Sequence, residues 1–442
     1  MTLTQADDEL LQILYDNLNP DVALKPGDER YEHVYNRPEC PDPMEKLFQT
    51  IRRSHLESRT FFSGFRGSGK TTELLRLKQT LEDAGYFVLY ADALDYINPA
   101  LPIEITGFLI VLAGAFSDAL AERGIMIGSE SYWTRLWNWM SKTKVELKEI
   151  ALKAESGIGP VKAGTDLKLE LKSTPSFRQR LADALKDRIG VLRDEVAAFF
   201  EDGYKVIGQG AKTRGVVFLF DSLEQIRGSL SEEKNVIHSV ELLFSNHLGM
   251  LSIPYVHMVY TVPPWLKFVL KGVDMAVIPC IRIWEKDDHN TECDAGMAAM
   301  RSLIARRFPE GGAARFLGDS HQARTDHFIK LSGGHFRDLL QMFRETIVQT
   351  ESLPVSQTII DRAIIEVRSH FMPIPVDDAR WLSQIAQEKA SPLKTDSAEE
   401  VSRLTRFLDS HIVLYLRNGE ERYDIHPLVR DEVARIVAAN PV

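Results

Sequence analysis

Short hydrophobic runs alternate with amphipathic helical segments between residues 46 and 290. The runs read "RTFFSG", "YFVLYADA", "GVVFLFDS" (215–222), "PYVHMVYTV" (254–262) and "MAVIPCIRI" (275–283), and segments such as "TTELLRLKQTLEDAG" lie between them. Short apolar strands separated by helices are typical of a parallel sheet that is covered on both faces. The pattern therefore predicts an α/β core over residues 46–290.

The segments on either side of this core have different patterns. Residues 1–45 are polar and contain several prolines, which predicts an N-terminal arm, and residues 291–372 carry successive helical patterns, which predict a helical lid. Residues 373–442 contain helices and then "HIVLYLRNGEERYDIH", in which Asn418-Gly419 stands between two β-like runs. Because Asn-Gly between such runs is a strong hairpin signal, this segment is predicted to be a winged-helix domain.

An insert over residues 129–178 interrupts the core pattern. Its first part, "YWTRLWNWM", is typical of a helix, and Trp133, Trp137 and Trp139 are spaced for core packing or, as the alternative, for a recognition surface. The following "VELKEIALKAESGIGPVKAGTDLKLELK" alternates apolar and charged residues around a glycine-rich middle. A period of two predicts a β-hairpin or a small sheet there.

Composition limits the classes of protein that fit. The 442 residues carry a formal net charge of −10, which argues against a surface coated with basic residues for nucleic acid. The three cysteines show no CxxC spacing, so we expect a reducing, cytoplasmic location and no structural zinc. The N-terminus has no basic region before an apolar stretch and predicts no signal peptide. The 13-residue run "ITGFLIVLAGAFS" is too short to span a membrane and predicts a buried helix.

The chemistry of the chain is concentrated in "GFRGSGKT", residues 64–71, which satisfies the pattern G-x-x-x-x-G-K-[ST] between a predicted strand and a predicted helix. Glycines let backbone N–H groups converge on phosphate oxygens, and the helix N-terminus adds partial positive charge. Lys70 is expected to reach the β- and γ-phosphates, and Thr71 to bind Mg²⁺. The predicted nucleotide-binding residues of this segment are Gly64, Arg66, Gly67, Ser68, Gly69, Lys70, Thr71 and Thr72. The predicted fold class is therefore an α/β P-loop NTPase.

A P-loop needs an acidic residue at the end of another strand to orient the metal. "VVFLFDSLEQ" supplies Asp221, which is expected to hold Mg²⁺, with capping of the next helix as the alternative. Glu224 is the candidate catalytic base, with a solvated helix position as the alternative. No N/T-K-x-D motif that reads guanine is found, since "TKVE" (143–146) has the wrong last residue. The sequence therefore favours ATP over GTP.

Three motifs together resemble the STAND class of P-loop ATPases and their neighbours in the AAA+ superfamily. "DSLEQ" resembles the strand-end acid followed three positions later by a second acid. "LSGGHFRDLL" is similar to the STAND lid and to the Gly-x-x-Arg sensor of initiator-type AAA+ proteins, with Arg337 as the arginine and Phe336 where STAND proteins have a proline that packs on adenine. "YDIHPLVRDEVARI" resembles the Met-His-Asp motif of the STAND winged helix. The resemblance implies that His426 senses the diphosphate of ADP in a closed, inactive state.

The resemblance also sets expectations for the polar residue after the fourth strand and for a trans-acting arginine. Many STAND proteins carry a sensor arginine after that strand, where this chain has Thr261, a candidate polar sensor. The candidate trans-acting arginines are Arg66, Arg282, Arg306 and Arg307.

The resemblance implies a slow, regulatory ATPase that binds ATP or ADP with Mg²⁺. The nucleotide would control the conformation or oligomerisation of the protein and so act as a switch for a partner protein. Bacterial defence or signalling is the implied setting. The alternative is an AAA+ initiator- or transposition-type ATPase that binds DNA through the winged helix. Residues 373–442 hold nine Lys/Arg against twelve Asp/Glu, a net charge of −3, which argues against DNA binding. A small-molecule kinase is disfavoured by the lid and C-terminal segments. A protein effector or sensor is the expected partner; homo-oligomerisation and nucleic-acid binding stay open.

Overall fold

The computed structural model describes residues 3–35, 42–142, 160–210, 212–228, 232–270, 272–285, 291–389, 398–418 and 420–441. By internal contacts the chain divides into two compact units, and each is described by itself. One unit contains Met1–Glu45, Gly64–Arg76 and Val277–Val442, and the other contains Lys46–Ser63 and Leu77–Ala276. The division into arm, core, lid and winged-helix domain that the sequence suggests stays a prediction.

The strands form one parallel sheet and one hairpin. The sheet contains β1 (Ser58–Gly64), β2 (Phe87–Asp92), β3 (Val216–Asp221), β4 (Val256–Val262) and β5 (Met275–Ile278), in the order β2-β3-β4-β1-β5, and the hairpin contains β6 (Val413–Asn418) and β7 (Glu420–Ile425). The pairings β1–β4, β3–β4 and β2–β3 are parallel. Every residue of β3 and β4 is buried, so both faces of the sheet centre are covered. The predicted α/β fold with a parallel sheet is confirmed.

The helices with at least four residues in the described part of the chain run as follows: α1 (Gln5–Asn17), α2 (Pro43–Arg53), α3 (Lys70–Asp83), α4 (Ile105–Glu122), α5 (Tyr132–Lys142), α6 (Pro160–Ser173), α7 (Pro175–Leu185), α8 (Ile189–Gly210), α9 (Glu233–Ser245), α10 (Leu266–Val269), α11 (Asp294–Ala305), α12 (Gly312–Leu317), α13 (His321–Ser332), α14 (Phe336–Val348), α15 (Gln357–Ser369), α16 (Val376–Glu388), α17 (Ala398–Asp409) and α18 (Arg430–Ala439).

Helix α4 is the apolar helix of the unit that contains the sheet. It extends to Glu122, beyond the apolar run, and by length and composition alone it is apolar enough to cross a membrane. The fold buries 67% of these 18 residues. The core helix of a soluble protein can have the same length and composition. Its consecutive buried residues from Phe108 to Phe116 face the surrounding elements on all sides, as expected for a buried helix.

The hairpin predicted in the insert is wrong in the part that the structure describes, because residues 160–173 form helix α6. Leu167 and Leu171 are buried, whereas Leu169 between them is 59% exposed. Positions four apart satisfy a period of two and a period of 3.6 alike, and the exposed Leu169 shows that the helical period is the one used. Residues 143–159, which carry the first half of the predicted hairpin, lie outside the described residues, as does Cys40.

The tryptophans of helix α5 differ in their environment. Trp133 is buried, its indole N–H donates to Oδ1 of Asp118 at 3.3 Å, and its ring stacks on that of Tyr96. Its six-membered ring fills the space beside Gly114 of α4. Trp137 and Trp139 are half-buried. The core interpretation therefore holds for Trp133.

In the other unit, the N-terminal arm is packed rather than detached. Leu10, Leu11 and Leu14 of α1 are buried. The side-chain amide of Asn17 donates to the carbonyl of Arg307 at 3.1 Å. The arm therefore forms part of the same folded body as the helices from α11 to α15.

The C-terminal segment contains α16, α17, the hairpin β6–β7 and α18, in the order that the sequence predicts. The two strands pair antiparallel with Tyr415 opposite Tyr423, so the hairpin predicted at Asn418-Gly419 is confirmed, although Gly419 lies outside the described residues. The carbonyl of Tyr415 accepts a hydrogen bond from the amide of Cys280 at 2.9 Å, which joins the hairpin to the segment that follows β5.

The close packing of Gly114 against Trp133 gives a matched pair of substitutions. A Cβ at Gly114 would overlap the indole ring, so we expect Gly114→Ala to destabilise the protein by about 1–3 kcal/mol through overpacking. A Cβ at Gly107 in the same helix meets nothing within 4 Å, so Gly107→Ala should be neutral or stabilising by up to about 1 kcal/mol. Urea unfolding followed by tryptophan fluorescence checks both. Equal stability of the two variants would contradict this packing.

Candidate functional site

The predicted phosphate-binding loop connects β1 to α3. Gly67 and Gly69 have φ angles of 81° and 86°, in the left-handed region where a residue with a side chain is strained. The amide and the hydroxyl of Ser68 both donate to the carbonyl of Phe65, at 3.2 and 2.9 Å. The loop therefore turns tightly and leads directly into the N-terminus of α3, as phosphate binding requires.

Lys70, the first residue of α3, is buried against the loop. Its ammonium group donates to the carbonyls of Gly64 at 3.1 Å and Phe65 at 2.9 Å. These hydrogen bonds hold the ammonium group at the loop, where it would donate to a bound phosphate group. Thr71 follows as the second residue of the helix.

Two residues of the predicted lid, Phe336 and Arg337, lie on the glycines of this loop. A Cβ at Gly67 would overlap the side chain of Arg337, and a Cβ at Gly69 would lie 3.9 Å from Cδ2 of Phe336. The guanidinium of Arg337 donates to Oδ1 of Asp21 in the N-terminal arm at 2.7 Å. The structure thus brings the lid residues named from the sequence to the loop, together with an arm carboxylate that the sequence did not single out.

The N-terminal arm also contacts the loop and the start of α3. The amide of Leu24 donates to the hydroxyl of Thr72 at 3.0 Å, and the hydroxyl of Tyr35 donates to the carbonyl of Ser68 at 3.3 Å. The ring centroids of Tyr35 and Phe336 are 6.2 Å apart. The aromatic residues in an otherwise polar arm were the sequence signal for this contact, but they carry no motif.

Tyr31 extends the contact of the arm along the first turn of α3. Its hydroxyl donates to Oε1 of Glu73 at 3.0 Å, and Arg76 donates to Oε2 at 2.8 Å. Burial raises the pKa of Glu73, and these two partners oppose that effect. An acidic side chain in the first turn also interacts favourably with the helix dipole.

In the unit that contains the sheet, Asp221 ends strand β3 with its carboxylate held by two donors. The hydroxyl of Tyr90 donates to Oδ2 at 2.9 Å, and the amide of Ser222 donates to Oδ1 at 2.8 Å. Ser222 has a φ of 72°, which is uncommon for a residue with a side chain and turns the chain sharply after the acid. Burial, and then the charge of Asp221, raises the pKa of Tyr90, so that this residue stays a hydrogen-bond donor.

Thr261 makes a different contact from the one expected of a sensor. Its hydroxyl, fully buried on β4, accepts a hydrogen bond from the amide of Leu223 at 3.3 Å. Leu223 begins the short 3₁₀ turn Leu223–Gln225 that carries Glu224. Thr261 therefore orients the segment that follows Asp221, and contact with nucleotide stays a prediction for both Thr261 and Glu224.

Three buried histidines surround the carboxylate of Asp338, which lies in the first turn of α14. Its Oδ2 atom lies 2.6 Å from Nδ1 of His335, 3.6 Å from Nδ1 of His411 and 3.2 Å from Nε2 of His426. Nε2 of His335 donates to the carbonyl of Arg66 at 2.9 Å. The cluster therefore joins the lid and both ends of the hairpin β6–β7 to the phosphate-binding loop.

The charges of this cluster follow from its burial. Burial alone would raise the pKa of Asp338, but the imidazoles, His335 first, hold it well below its usual range. Burial lowers the pKa of His411 to about 4 and lowers that of His426. At neutral pH Asp338 is therefore ionised while His411 and His426 are neutral.

His426 lies in this cluster, with its ring stacked 4.9 Å from that of Phe371. Its Nδ1 atom accepts from the amide of Leu428 at 3.2 Å. The path from His426 to the loop runs through Asp338 and His335. Direct sensing of a diphosphate by His426 stays a prediction.

Three of the candidate trans-acting arginines, Arg282, Arg306 and Arg307, make contacts within their own unit. Arg306 pairs with Glu32 at 2.5 Å, and Arg307 donates to the carbonyl of Arg30 at 3.0 Å. Burial lowers the pKa of Arg307 to about 10. Arg282 donates to Sγ of Cys293 at 3.3 Å. Arg306 and Arg307 therefore attach the arm to the helices that follow β5.

Comparison with known proteins shows only distant likeness. No protein-family model matches the chain, and no curated protein matches it. Solved structures that it resembles include the ORC2 protein of Aeropyrum pernix in its ADP form, with a TM-score of 0.42, 9% identity and coverage of 96% of this chain and 97% of that one. A Walker-type ATPase of Pyrococcus abyssi has a TM-score of 0.39, 12% identity and coverage of 96% and 99%. Cdc6p of Pyrobaculum aerophilum has a TM-score of 0.36, 12% identity and coverage of 96% and 98%. Likeness at these TM-scores carries no argument, so the assignments rest on the residues described above.

The close approach of Arg337 to Gly67 predicts the effect of adding one methyl group. We expect Gly67→Ala to lower nucleotide affinity by roughly tenfold or more, about 1.4 kcal/mol, because the methyl displaces Arg337 and strains the loop. Gly27 has a similar φ of 84°, and a Cβ there meets nothing within 4 Å. Gly27→Ala is therefore the control for left-handed strain alone. Calorimetric titration with ADP compares them, and equal affinities would contradict this geometry.

Proposed function

We propose that this chain is an ATP- and ADP-binding ATPase whose nucleotide state controls its conformation or assembly with a partner protein. One observation carries the proposal. The lid residues Phe336 and Arg337 and the arm residue Tyr35 meet on the loop Gly64–Thr71, in which Gly67 and Gly69 have left-handed φ angles. A loop that bound only phosphate would not require contacts with both the N-terminal arm and the lid.

The chemistry of the residues fits a nucleotide with Mg²⁺. The left-handed Gly67 and Gly69 and the start of α3 form a backbone cradle without side chains at these two positions. Lys70 would bind the β- and γ-phosphates, while Thr71 and Asp221 would hold the metal ion, which when bound neutralises charge on the phosphates. Glu224 would orient the attacking water. The bonds of Tyr90 and Ser222 keep the carboxylate of Asp221 in one orientation.

Aromatic side chains support a nucleoside rather than a bare phosphate as the ligand. Tyr35 and Phe336 lie on the loop with their rings at an interplanar angle of 56°. Aromatic faces bind nucleobases by stacking, and Phe336 takes the place of the proline in the related lid motif. We therefore assign these two residues to the adenine.

A switch requires that ATP and ADP bind differently to two arrangements of the protein. Arg337 is the residue through which this difference is proposed to act, because its guanidinium is bound to the carboxylate of Asp21. A phosphate group offers the same guanidinium a stronger, bidentate partner. Exchange of Asp21 for phosphate would thus couple nucleotide binding to the arm and the lid.

An initiator-type ATPase that binds DNA is the second candidate. The names of the similar solved structures, ORC2 and Cdc6p, point to it, although their likeness to this chain carries no argument. The net charge of −3 over residues 373–442 weighs against it, because DNA affinity depends largely on neutralised phosphates. Salt-dependent binding of the full chain to duplex DNA would favour this candidate over the switch.

The switch predicts that Arg337 controls nucleotide exchange. We expect Arg337→Ala to raise the dissociation rate of a fluorescent ADP by about 10- to 100-fold, since a charge-assisted hydrogen bond contributes about 1.5–3 kcal/mol. Arg362→Ala, an exposed arginine on α15, is the control. Stopped-flow release and mass photometry are measured together. Unchanged release and unchanged mass in Arg337→Ala would remove the basis for the switch.

A further inference from the structure

We propose that His335, Asp338 and His411 form a binding site for a divalent transition-metal ion of the zinc type. The site is separate from the Mg²⁺ that accompanies a nucleotide, and it does not depend on the proposed function. Sequence spacing gave no sign of it, because the residues come from the start of α14 and from the segment before β6. The structure brings them together in the interior.

The three ligand atoms have the separations of a metal site. Nδ1 of His335, a carboxylate oxygen of Asp338 and Nδ1 of His411 lie within 4.8 Å of one another. Zinc bonds of about 2.0–2.1 Å at tetrahedral angles place neighbouring ligand atoms roughly 3.3 Å apart. The distance from His411 to Asp338 is 3.6 Å and that from His335 to Asp338 is 2.6 Å. Small side-chain rotations would bring both to the required value.

The outer contacts of the cluster are those that metal-binding histidines use. Nε2 of His335 donates to the carbonyl of Arg66 at 2.9 Å, so Nδ1 is the ring nitrogen that faces Asp338 and would bind an ion. A ligating histidine commonly donates its second N–H to a carbonyl in this way. Nδ1 of His426 accepts from the amide of Leu428, so its proton lies on Nε2, 3.2 Å from the carboxylate. His426 is therefore assigned as an outer donor that orients Asp338.

The hydrogen bonds within the cluster do not account for the position of His411. Its Nδ1 atom lies 3.6 Å from Oδ2 of Asp338, beyond hydrogen-bond distance, while its ring is only 4.2 Å from that of His335. An ion bound by Nδ1 of both imidazoles and by the carboxylate would hold the two rings this close.

The backbone around the cluster is held in conformations that side chains rarely adopt. His411 has a φ of 61°, in the left-handed region, although it is not a glycine. Gly334, directly before His335, has a φ of 81°, and a Cβ there would overlap the carbonyl of Ile281. Strained residues of this kind cluster at functional sites, where the surrounding fold holds them in place. Here the left-handed backbone at Gly334 and His411 positions two imidazoles beside one carboxylate.

The ligand types select the class of metal. Two imidazoles and one carboxylate suit zinc and its neighbours among the transition metals, whereas magnesium and calcium prefer oxygen ligands alone. The site also joins parts of the fold, since His335 is bonded to the phosphate-binding loop and His411 stands at the start of the hairpin β6–β7. A bound ion would therefore fasten the hairpin to the lid and the loop.

Cobalt titration of the full chain tests the site without nucleotide. Protein stripped with a chelator is titrated with Co²⁺, and zinc is then added in competition while absorbance between 500 and 700 nm is followed. We expect one Co²⁺ per chain, visible absorption from nitrogen and oxygen ligation, displacement by zinc and a rise in melting temperature. Magnesium at the same concentration should have no such effect.

Two variants assign the signal to this cluster. His411→Ala should abolish the absorption, while His238→Ala, which removes an exposed histidine on α9, should leave it unchanged. Wild-type protein that takes up no stoichiometric Co²⁺ would overturn the proposal even if His411→Ala fails to fold. Equal uptake by a folded His411→Ala would also overturn it. Because ADP binding is measured separately, failure of this site and failure of the nucleotide site can be told apart.

Discussion

The lack of a side chain at Gly67 is the constraint on which the candidate site depends. The space that a Cβ would take is filled by Arg337, and the φ of 81° suits only a residue without one. Because the backbone is bare there, the lid lies directly on the loop, and a Cβ at Gly69 would lie 3.9 Å from Cδ2 of Phe336. A larger residue at Gly67 would push the lid away from the loop. It would also move the guanidinium of Arg337 away from the position of the phosphates.

The same closeness brings the histidine cluster into contact with the loop. His335 stands two residues before Arg337, and its imidazole reaches the carbonyl of Arg66 next to Gly67. From His335 the contacts continue through Asp338 to His426, beyond the end of the hairpin. Loop, lid and hairpin are thus joined by buried polar groups rather than by a surface ion pair that water could replace. Such contacts are directional, so they favour a single arrangement.

Local patterns predicted the parts of the fold that depend on neighbours in the chain. The five sheet strands, the P-loop between strand and helix, and the hairpin at Asn418-Gly419 were all found where the sequence put them. The helix over residues 160–173 was mistaken for a strand because its leucines satisfy both periods, and only the burial of Leu167 beside an exposed Leu169 decides between them.

Contacts between distant segments could not be predicted in this way. The arm is polar apart from a few aromatic residues, and no motif in it indicates that Asp21, Leu24 and Tyr35 lie against the loop and lid. The histidine cluster unites residues that have no ligand spacing, and the bond from Tyr90 to Asp221 joins two different strands. These features depend on how the segments pack in three dimensions, which hydrophobic periodicity does not encode. The motif nevertheless led to the loop on which most of them meet.

Whether this loop binds an adenine nucleotide is best measured on the purified protein itself. The protein would be purified gently and denatured, and any released nucleotide would be identified by chromatography, with Lys70→Ala as the control, since Lys70 places its ammonium group on the loop. We expect wild-type protein to retain ADP or to bind added ATP, and Lys70→Ala to do neither. Wild-type protein that carries no nucleotide and also fails to bind added ATP or ADP would contradict it.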